Sequence, residues 1–219
     1  MSVMTKNKKY ICIEFDMDGT LIDSIPVVME SFQQSIYEIY GHRESNPEIL
    51  KKSIGLPLDE SFLSYPSQDQ AILKDAYIKI NDELQKNGVP LFDGIREMLI
   101  KLKEKNIRLA IVTSKRLEPT LRLLKVMELD GLFEVVVGKE MTLRHKPFGD
   151  PILKCNELLN IGDKKDVLYV GDSLHDLKCA KDAGVDVAAV EWTRMDKIEL
   201  RMGKPEHWLT YPSDLLKLV

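Results

Sequence analysis

Residues 10–20 read Tyr10-Ile11-Cys12-Ile13-Glu14-Phe15-Asp16-Met17-Asp18-Gly19-Thr20, an apolar run that ends in two aspartates and a Gly-Thr turn. The run predicts a buried strand of a parallel sheet, with the aspartates at its carboxyl end. Ligands of open α/β sheets bind at that edge. Because two neighbouring carboxylates crowd negative charge together, they favour a raised pKa or a bound cation. Asp16 is therefore a candidate nucleophile toward phosphorus.

The composition excludes several classes of protein. The chain has 219 residues, 44% of them hydrophobic, and a formal net charge of -4. This acidic balance, without a basic block, argues against nucleic-acid binding. No apolar stretch approaches the length of about 18 residues that a membrane span needs, and no signal peptide is evident. The three cysteines, Cys12, Cys155 and Cys179, are spaced like neither a disulfide framework nor a zinc site. We expect a cytoplasmic monomer or homodimer with no membrane partner.

The rest of the chain predicts an α/β fold, a Rossmann-like parallel sheet with helices on both faces and an all-helical cap inserted after the first strand. Between the first strand and Pro90 there are two apolar stripes at helical spacing and no convincing strand. From Pro90 onward, strands alternate with helices, which predicts right-handed βαβ units. The predicted strands are 107–112, 134–137, 167–170 and 185–190, and the predicted helices are 95–105, 118–127, 150–159 and 174–183. The predicted domains are a core of residues 1–24 and 89–219 and a cap of residues 25–88.

Polar residues stand at further junctions of the predicted sheet. Thr113 and Ser114 follow the second strand, where hydroxyl and N–H groups can hold phosphate oxygens. Lys146 precedes a helix and can bring a positive charge to the same edge. Asp172 follows another strand, and Asp176 comes one helical turn later. Each feature alone is ordinary turn, surface or helix-capping chemistry. Together they form a complementary set.

This set predicts a magnesium site. A hard divalent cation binds a few carboxylate or carbonyl oxygens and keeps several waters. Asp16, the carbonyl of Asp18 and Asp172 are suitable ligands. Mg²⁺ and Lys146 would neutralise both the carboxylates and an incoming phosphate, so that an anionic nucleophile can attack an anionic substrate.

At these motifs the chain resembles the haloacid dehalogenase superfamily, specifically its phosphatases with a helical cap after the first strand. The motifs are Asp16-Met17-Asp18-Gly19-Thr20, Thr113, Lys146 and Gly171-Asp172-Ser173-Leu174-His175-Asp176. The segments Ile54-Gly55-Leu56-Pro57-Leu58 and Val112-Thr113-Ser114-Lys115 look like those of phosphoglycolate phosphatase and pyrophosphatase relatives. The resemblance extends from about Tyr10 to Leu216.

The resemblance implies a role for each motif. Asp16 would be the nucleophile that forms an aspartyl-phosphate, and Asp18 would protonate the leaving group and then activate water. Thr113, with Ser114 beside it, would bind phosphate, and Lys146 would bridge the phosphate and the nucleophile.

The fourth motif supplies the remaining roles. Asp172 would ligate Mg²⁺. Asp176 would act through water or by orienting Lys146, with Ser173 in support. The substrate would be a small phosphorylated metabolite, selected in the cap by Gly55, Leu56 and Pro57.

Asp18 disfavours a dehalogenase, because a dehalogenase typically lacks an acid at this position, and it favours phosphoryl transfer to water.

Two alternatives to a phosphatase stay open, a phosphomutase and a binding module. Phosphomutases of the β-phosphoglucomutase type carry a cap-loop arginine where this chain has an apolar residue, although Arg43, Lys51 or Lys52 could replace it. The second alternative is a retired phosphatase that serves as a binding module.

Overall fold

The structure, a computed structural model, describes residues 10–50 and 58–219. Tertiary contacts divide the chain into two units. One ends at Ile22 and resumes at Leu91, and the other comprises Asp23–Pro90. Ile22 pairs with Leu91 in an antiparallel bridge, so the chain leaves and re-enters the larger unit at neighbouring positions. The division lies two residues from each predicted domain boundary.

The described residues contain six strands and eight α-helices. The strands are β1 (Cys12–Phe15), β2 (Arg108–Val112), β3 (Val135–Val137), β4 (Val167–Gly171), β5 (Asp186–Val190) and β6 (His207–Leu209). The helices are α1 (Ile25–Tyr40), α2 (Leu58–Ser61), α3 (Ser67–Gln85), α4 (Ile95–Glu104), α5 (Leu117–Val126), α6 (Asp150–Leu158), α7 (Leu174–Ala183) and α8 (Lys197–Met202). Short 3₁₀ helices cover Lys139–Met141, Lys164–Asp166 and Pro212–Lys217. Within the described ranges, no helix combines the length and the apolar character needed to cross a bilayer.

The six described strands form one parallel sheet in the order β3-β2-β1-β4-β5-β6, which confirms the predicted α/β fold class. In the pairing register, Phe15 lies between Ile111 of β2 and Val170 of β4. The carboxyl ends of the three central strands are therefore level. The residues that follow these strands meet at one edge of the sheet.

The two faces of β1 alternate as the strand period requires. Cys12 and Glu14 share one face, which α6 and α7 cover with Cys155 and Cys179 among other buried residues. All three cysteines are buried free thiols. β6 and α8 were not predicted, and they extend the sheet and its cover at the C-terminal side.

The smaller unit is helical over its described residues. α1 packs against α3. Phe32 and Ile36 of the first predicted stripe are buried with Leu73 of the second, and the ring of Phe62 stacks on Phe32 at 5.0 Å between centroids. Burial of these apolar side chains stabilises the pair, because each contributes roughly 1.5–3 kcal/mol.

Glu14 is a buried acid in the middle of the sheet. The side chain is fully buried, and neither carboxyl oxygen has a hydrogen-bond partner of acceptable geometry among the described residues. Burial raises the pKa of Glu14 to about 8, although interaction with the Cys155 thiol opposes the rise. A carboxyl with this environment is protonated at neutral pH, which avoids the cost of a buried charge.

The raised pKa of Glu14 predicts that the free energy of unfolding depends on pH. In the unfolded chain this carboxyl has its ordinary pKa of about 4.5 and loses its proton above that pH. In the folded chain its pKa of about 8 keeps the proton bound up to about pH 8. The folded state therefore binds more protons in that window, and the free energy of unfolding falls as pH rises, by up to about 1.4 kcal/mol per pH unit. Urea unfolding of Glu14→Gln at several values between pH 5 and pH 8, with chelator present, should show a flatter profile than wild type. The exposed Glu157→Gln is the control, and parallel profiles for Glu14→Gln and wild type would refute the prediction.

Candidate active site

The centre of the site is a buried lysine between two aspartates. Lys146 Nζ donates to Asp16 Oδ1 at 2.6 Å and to Asp176 Oδ1 at 2.7 Å. The Lys146 side chain is only 4% exposed. Although burial opposes the shift, the two carboxylates raise the pKa of Lys146, so it is a fixed positive charge. Tyr169 of β4 places its ring 5.2 Å from Nζ.

Asp176 is held by donors on both of its oxygens. Oδ1 accepts from Lys146 and, at 3.1 Å, from the Tyr169 hydroxyl. Oδ2 accepts from the backbone N–H and the hydroxyl of Ser173 and from the backbone N–H of Asp172. Ser173 is the N-cap of α7 and Asp176 completes its capping box. Despite burial, Lys146 and these donors lower the pKa of Asp176.

Asp172 follows β4 directly and is 5% exposed. Its Oδ2 accepts a hydrogen bond of 2.8 Å from the hydroxyl of Thr193, which lies in the loop after β5. A Cβ at position 19 would lie 2.2 Å from the same oxygen, and Gly19 has φ of +84°. Only glycine suits that position, because it combines left-handed backbone with a close approach.

The three buried carboxylates of Asp16, Asp172 and Asp176 each place an oxygen within 4.8 Å of the others. Burial raises the pKa of Asp16 to about 7, against the attraction of Lys146. Burial, with the charges of Asp176 and Asp16, raises the pKa of Asp172 well above its usual range. Lys146 contacts two of these three acids, Asp16 and Asp176, whereas Asp172 is held by the Thr193 hydroxyl, so the group has more acids than compensating positive charges.

The second motif brings Thr113 and Lys115 to the same edge. Thr113 is 4% exposed, and its Oγ1 accepts from the backbone N–H of Lys115 at 3.2 Å. Lys115 Nζ lies 3.5 Å from Asp18 Oδ1. Asp18 therefore has its carboxylate near a different lysine from Asp16, and its side chain is 31% exposed. Ser114, between them in sequence, is exposed.

The cap residues of the sequence analysis cannot be placed in this geometry. Gly55, Leu56 and Pro57, with Lys51 and Lys52, lie outside the described residues.

Three residues near the site had no role in the sequence analysis. Thr193 lies in a loop 21 residues after Asp172 and belongs to no motif. Tyr169 reads as part of an apolar strand, and its hydroxyl donates to the Val112 carbonyl as well as to Asp176. The position of Lys115 directly after Thr113 and Ser114 places it near the site from the sequence alone. Its contact with Asp18 joins residues 97 positions apart and could not be predicted in the same way.

This arrangement can stabilise an anion and transfer a proton. Lys146 fixes Asp16, a buried acid at the end of β1, and Asp18 lies two residues later with its side chain partly exposed to solvent. Thr113 is buried at the end of the neighbouring strand β2. Such a constellation is suited to attack on an anionic centre by Asp16.

Comparison with known proteins identifies the family of the chain. Residues 13–190 match the family model described as haloacid dehalogenase-like hydrolase. The chain is 34% identical over 211 residues to a protein of Caldanaerobacter subterraneus named as a candidate pyrophosphatase PpaX, covering 96% of this chain and 95% of that one. It is 30% identical over 215 residues to a pyrophosphatase PpaX of Listeria monocytogenes, with coverage of 96% and 97%.

A solved structure agrees with the fold. The crystal structure of a candidate haloacid dehalogenase-like hydrolase from Bacteroides fragilis superposes with a TM-score of 0.83 at 27% identity, covering 94% of this chain and all of that one. The family model covers most of the chain, and the relatives align over nearly its whole length. The chain therefore belongs to the haloacid dehalogenase-like hydrolases.

Proposed function

We propose that the chain, a phosphatase of the haloacid dehalogenase-like family, hydrolyses a small phosphate compound through a phosphorylated Asp16, with Mg²⁺ as cofactor. The observation that carries this proposal is the contact of Lys146 Nζ with Asp16 Oδ1 at 2.6 Å, beside two further buried acids. A buried carboxylate fixed by a cation at a strand end is positioned as a nucleophile rather than as a structural group.

The donor set fits Mg²⁺. Both oxygens of Asp176 already accept hydrogen bonds, so we assign Asp16, Asp172 and the backbone carbonyl of Asp18 as the ligands. Asp176 is then a positioning residue that holds Lys146. The shortage of positive charge among the acids is the physical reason for a divalent cation at this place. When bound, Mg²⁺ neutralises negative charge on the carboxylates and on the phosphoryl oxygens.

The first half-reaction transfers the phosphoryl group to the protein. A carboxylate oxygen of Asp16 attacks phosphorus while the bond to the leaving-group oxygen breaks, and the carboxyl of Asp18 donates a proton to that oxygen. Lys146 and the Thr113 hydroxyl stabilise the phosphoryl oxygens. The products are an aspartyl-phosphate on Asp16, ionised Asp18 and the free leaving group.

The second half-reaction restores the site. Ionised Asp18 accepts a proton from a water molecule as the water oxygen attacks phosphorus. The bond between phosphorus and the Asp16 oxygen breaks, which releases phosphate and regenerates the carboxylate. Asp18 returns to its protonated form, so the cycle balances with one water consumed.

The larger unit holds every residue of this mechanism. We propose the division into a core of residues 1–24 and 89–219 and a cap of residues 25–88, with substrate selection in the cap. Pyrophosphate is the first candidate substrate because two relatives carry the name pyrophosphatase.

Within the described residues, which do not include Lys51 and Lys52, the structure offers no support for the mutase alternative. Arg43, one possible substitute for the mutase arginine, makes a two-point ion pair with Glu30 at 2.7 and 3.0 Å. Its charge is therefore already engaged.

Phosphate release by the purified protein tests the proposal. The panel contains pyrophosphate, phosphoglycolate, sugar phosphates and nucleoside monophosphates, each with Mg²⁺ and with chelator. We expect release only with Mg²⁺. Absence of release from every compound would refute the proposal, and activity that requires a sugar bisphosphate would favour a mutase.

Thr193 provides a separate test of the cation site. Thr193→Val keeps the shape but removes the hydroxyl that holds Asp172 Oδ2. We expect the Mg²⁺ concentration for half-maximal activity to rise about 10- to 100-fold, because outer partners of metal ligands have effects of this size. Magnesium titration of the activity measures it, with the exposed Thr210→Val as control. An unchanged magnesium requirement would show that Thr193 does not position a ligand.

A further inference from the structure

The side chain of Lys115 is more buried than is usual for a lysine. Its side chain is only 16% exposed, whereas lysines are mostly exposed. The backbone around it is fixed on both sides, because its N–H donates to Thr113 Oγ1 at 3.2 Å and its carbonyl accepts from Lys139 N–H at 2.9 Å. The backbone of Lys115 is therefore anchored just after β2, and its side chain places Nζ 3.5 Å from Asp18 Oδ1.

The two lysines of the site face different acids. Lys146 is shared between Asp16 and Asp176 at distances below 3 Å. Lys115 lies 3.5 Å from Asp18 Oδ1, and the Asp18 side chain is partly open to solvent. Lys146 therefore stands beside the nucleophile, and Lys115 stands beside the residue that handles the leaving group.

We propose that Lys115 is a specificity-determining residue that selects substrates whose leaving group carries negative charge. This inference rests on the proposed function, in which Asp18 protonates the leaving-group oxygen. A cation within contact distance of Asp18 is then within a few ångströms of that oxygen and of the atoms attached to it. A leaving phosphate or carboxylate gains attraction from Lys115, whereas a neutral alcohol gains little.

The expected size follows from Coulomb attraction in a partly screened site. One unit charge a few ångströms from another in such surroundings changes a rate about 10- to 100-fold. The effect belongs to kcat/KM, because the attraction acts on the substrate and on its transition state.

A matched pair of substrates isolates the leaving-group charge. Phosphoglycolate and 2-hydroxyethyl phosphate differ in one group, a carboxylate against a neutral CH₂OH. In wild type, we expect kcat/KM to be at least about tenfold higher for phosphoglycolate. A wild-type preference for the neutral ester, or equal values, would overturn the proposal without any variant.

Variants of Lys115 then assign the preference to the residue. Lys115→Met should lower kcat/KM for phosphoglycolate and for pyrophosphate at least about tenfold more than it lowers kcat/KM for 2-hydroxyethyl phosphate. Lys115→Arg should keep most of the preference, since it keeps the charge. The exposed Lys125→Met on α5 is the control, and thermal unfolding checks that the variants are folded.

The outcomes separate this inference from the proposed function. If wild type releases no phosphate from any compound, the proposed function fails and this inference fails with it. If wild type is active and Lys115→Met loses activity equally on charged and neutral leaving groups, Lys115 serves Asp18 or the phosphate. In that case the specificity role is wrong while the phosphatase stands.

Discussion

We expect Asp16→Asn to lower phosphate release by at least about 10⁴-fold, because the amide cannot attack phosphorus and form an acyl phosphate. The substitution keeps the shape of the side chain and removes one of three crowded buried acids. Lys146 retains Asp176 as an ion-pair partner at 2.7 Å, so the fold should persist. Steady-state phosphate release in saturating Mg²⁺, with thermal unfolding of the same sample, measures both effects.

Asp18→Asn is the matched control for this change. It removes the proton donor and acceptor but keeps the backbone carbonyl, and we expect a smaller loss of about 10²–10⁴-fold. Turnover by Asp16→Asn at the wild-type rate would show that another group is the nucleophile. Equal residual rates in the two variants would argue against the separate roles assigned to the two aspartates.

We expect Lys146→Met to destabilise the fold as well as to stop the reaction. The change leaves the carboxylates of Asp16 and Asp176 buried without their shared cation, and loss of one partner from a buried ion pair costs about 3–5 kcal/mol. Lys146 lowers the pKa of Asp176, and that stabilisation is present at neutral pH and lost as pH falls through the folded pKa. The difference between variant and wild type should therefore shrink in acid.

Urea unfolding with chelator, at neutral and at acid pH, measures the Lys146 effect. Lys154→Met is the control, because its ion pair with Glu157 lies on the surface and should contribute less than about 1 kcal/mol. We also expect Mg²⁺ to stabilise the Lys146 variant more than wild type, because the cation can replace the missing charge. Wild-type stability of the variant at neutral pH would mean that the buried acids do not need the lysine.

The central part of the fold follows from local sequence. β1, β2 and β4 are short apolar runs, and each ends in polar residues that parallel pairing brings to one edge. β6 reads His207-Trp208-Leu209, without the run of valines that marks the equally short β3, and among the described strands it pairs with β5 alone, with His207 opposite Ala188. Its strand character comes from that tertiary pairing and not from its own composition.

The site was predictable where chemistry and position coincide in the sequence. Asp16 and Asp172 directly follow apolar strands, so their meeting is expected from the topology. Thr193 has no such signal, because a single threonine in a loop is usually turn chemistry. The hydrogen bond to Asp172 exists because the loop after β5 passes beside the loop after β4, which only the folded sheet determines.

The position of β1 at the centre of the sheet constrains the order in which the site can be assembled during synthesis. β1 precedes the other described strands in the chain, and its neighbours β2 and β4 begin only at Arg108 and Val167. The lysine that neutralises Asp16 lies 130 residues later in the chain. Until both flanking strands have left the ribosome, β1 exposes two unpaired strand edges and an uncompensated acid. Non-local pairing of this kind is slow and open to aggregation, so this chain should depend on its C-terminal half for soluble folding.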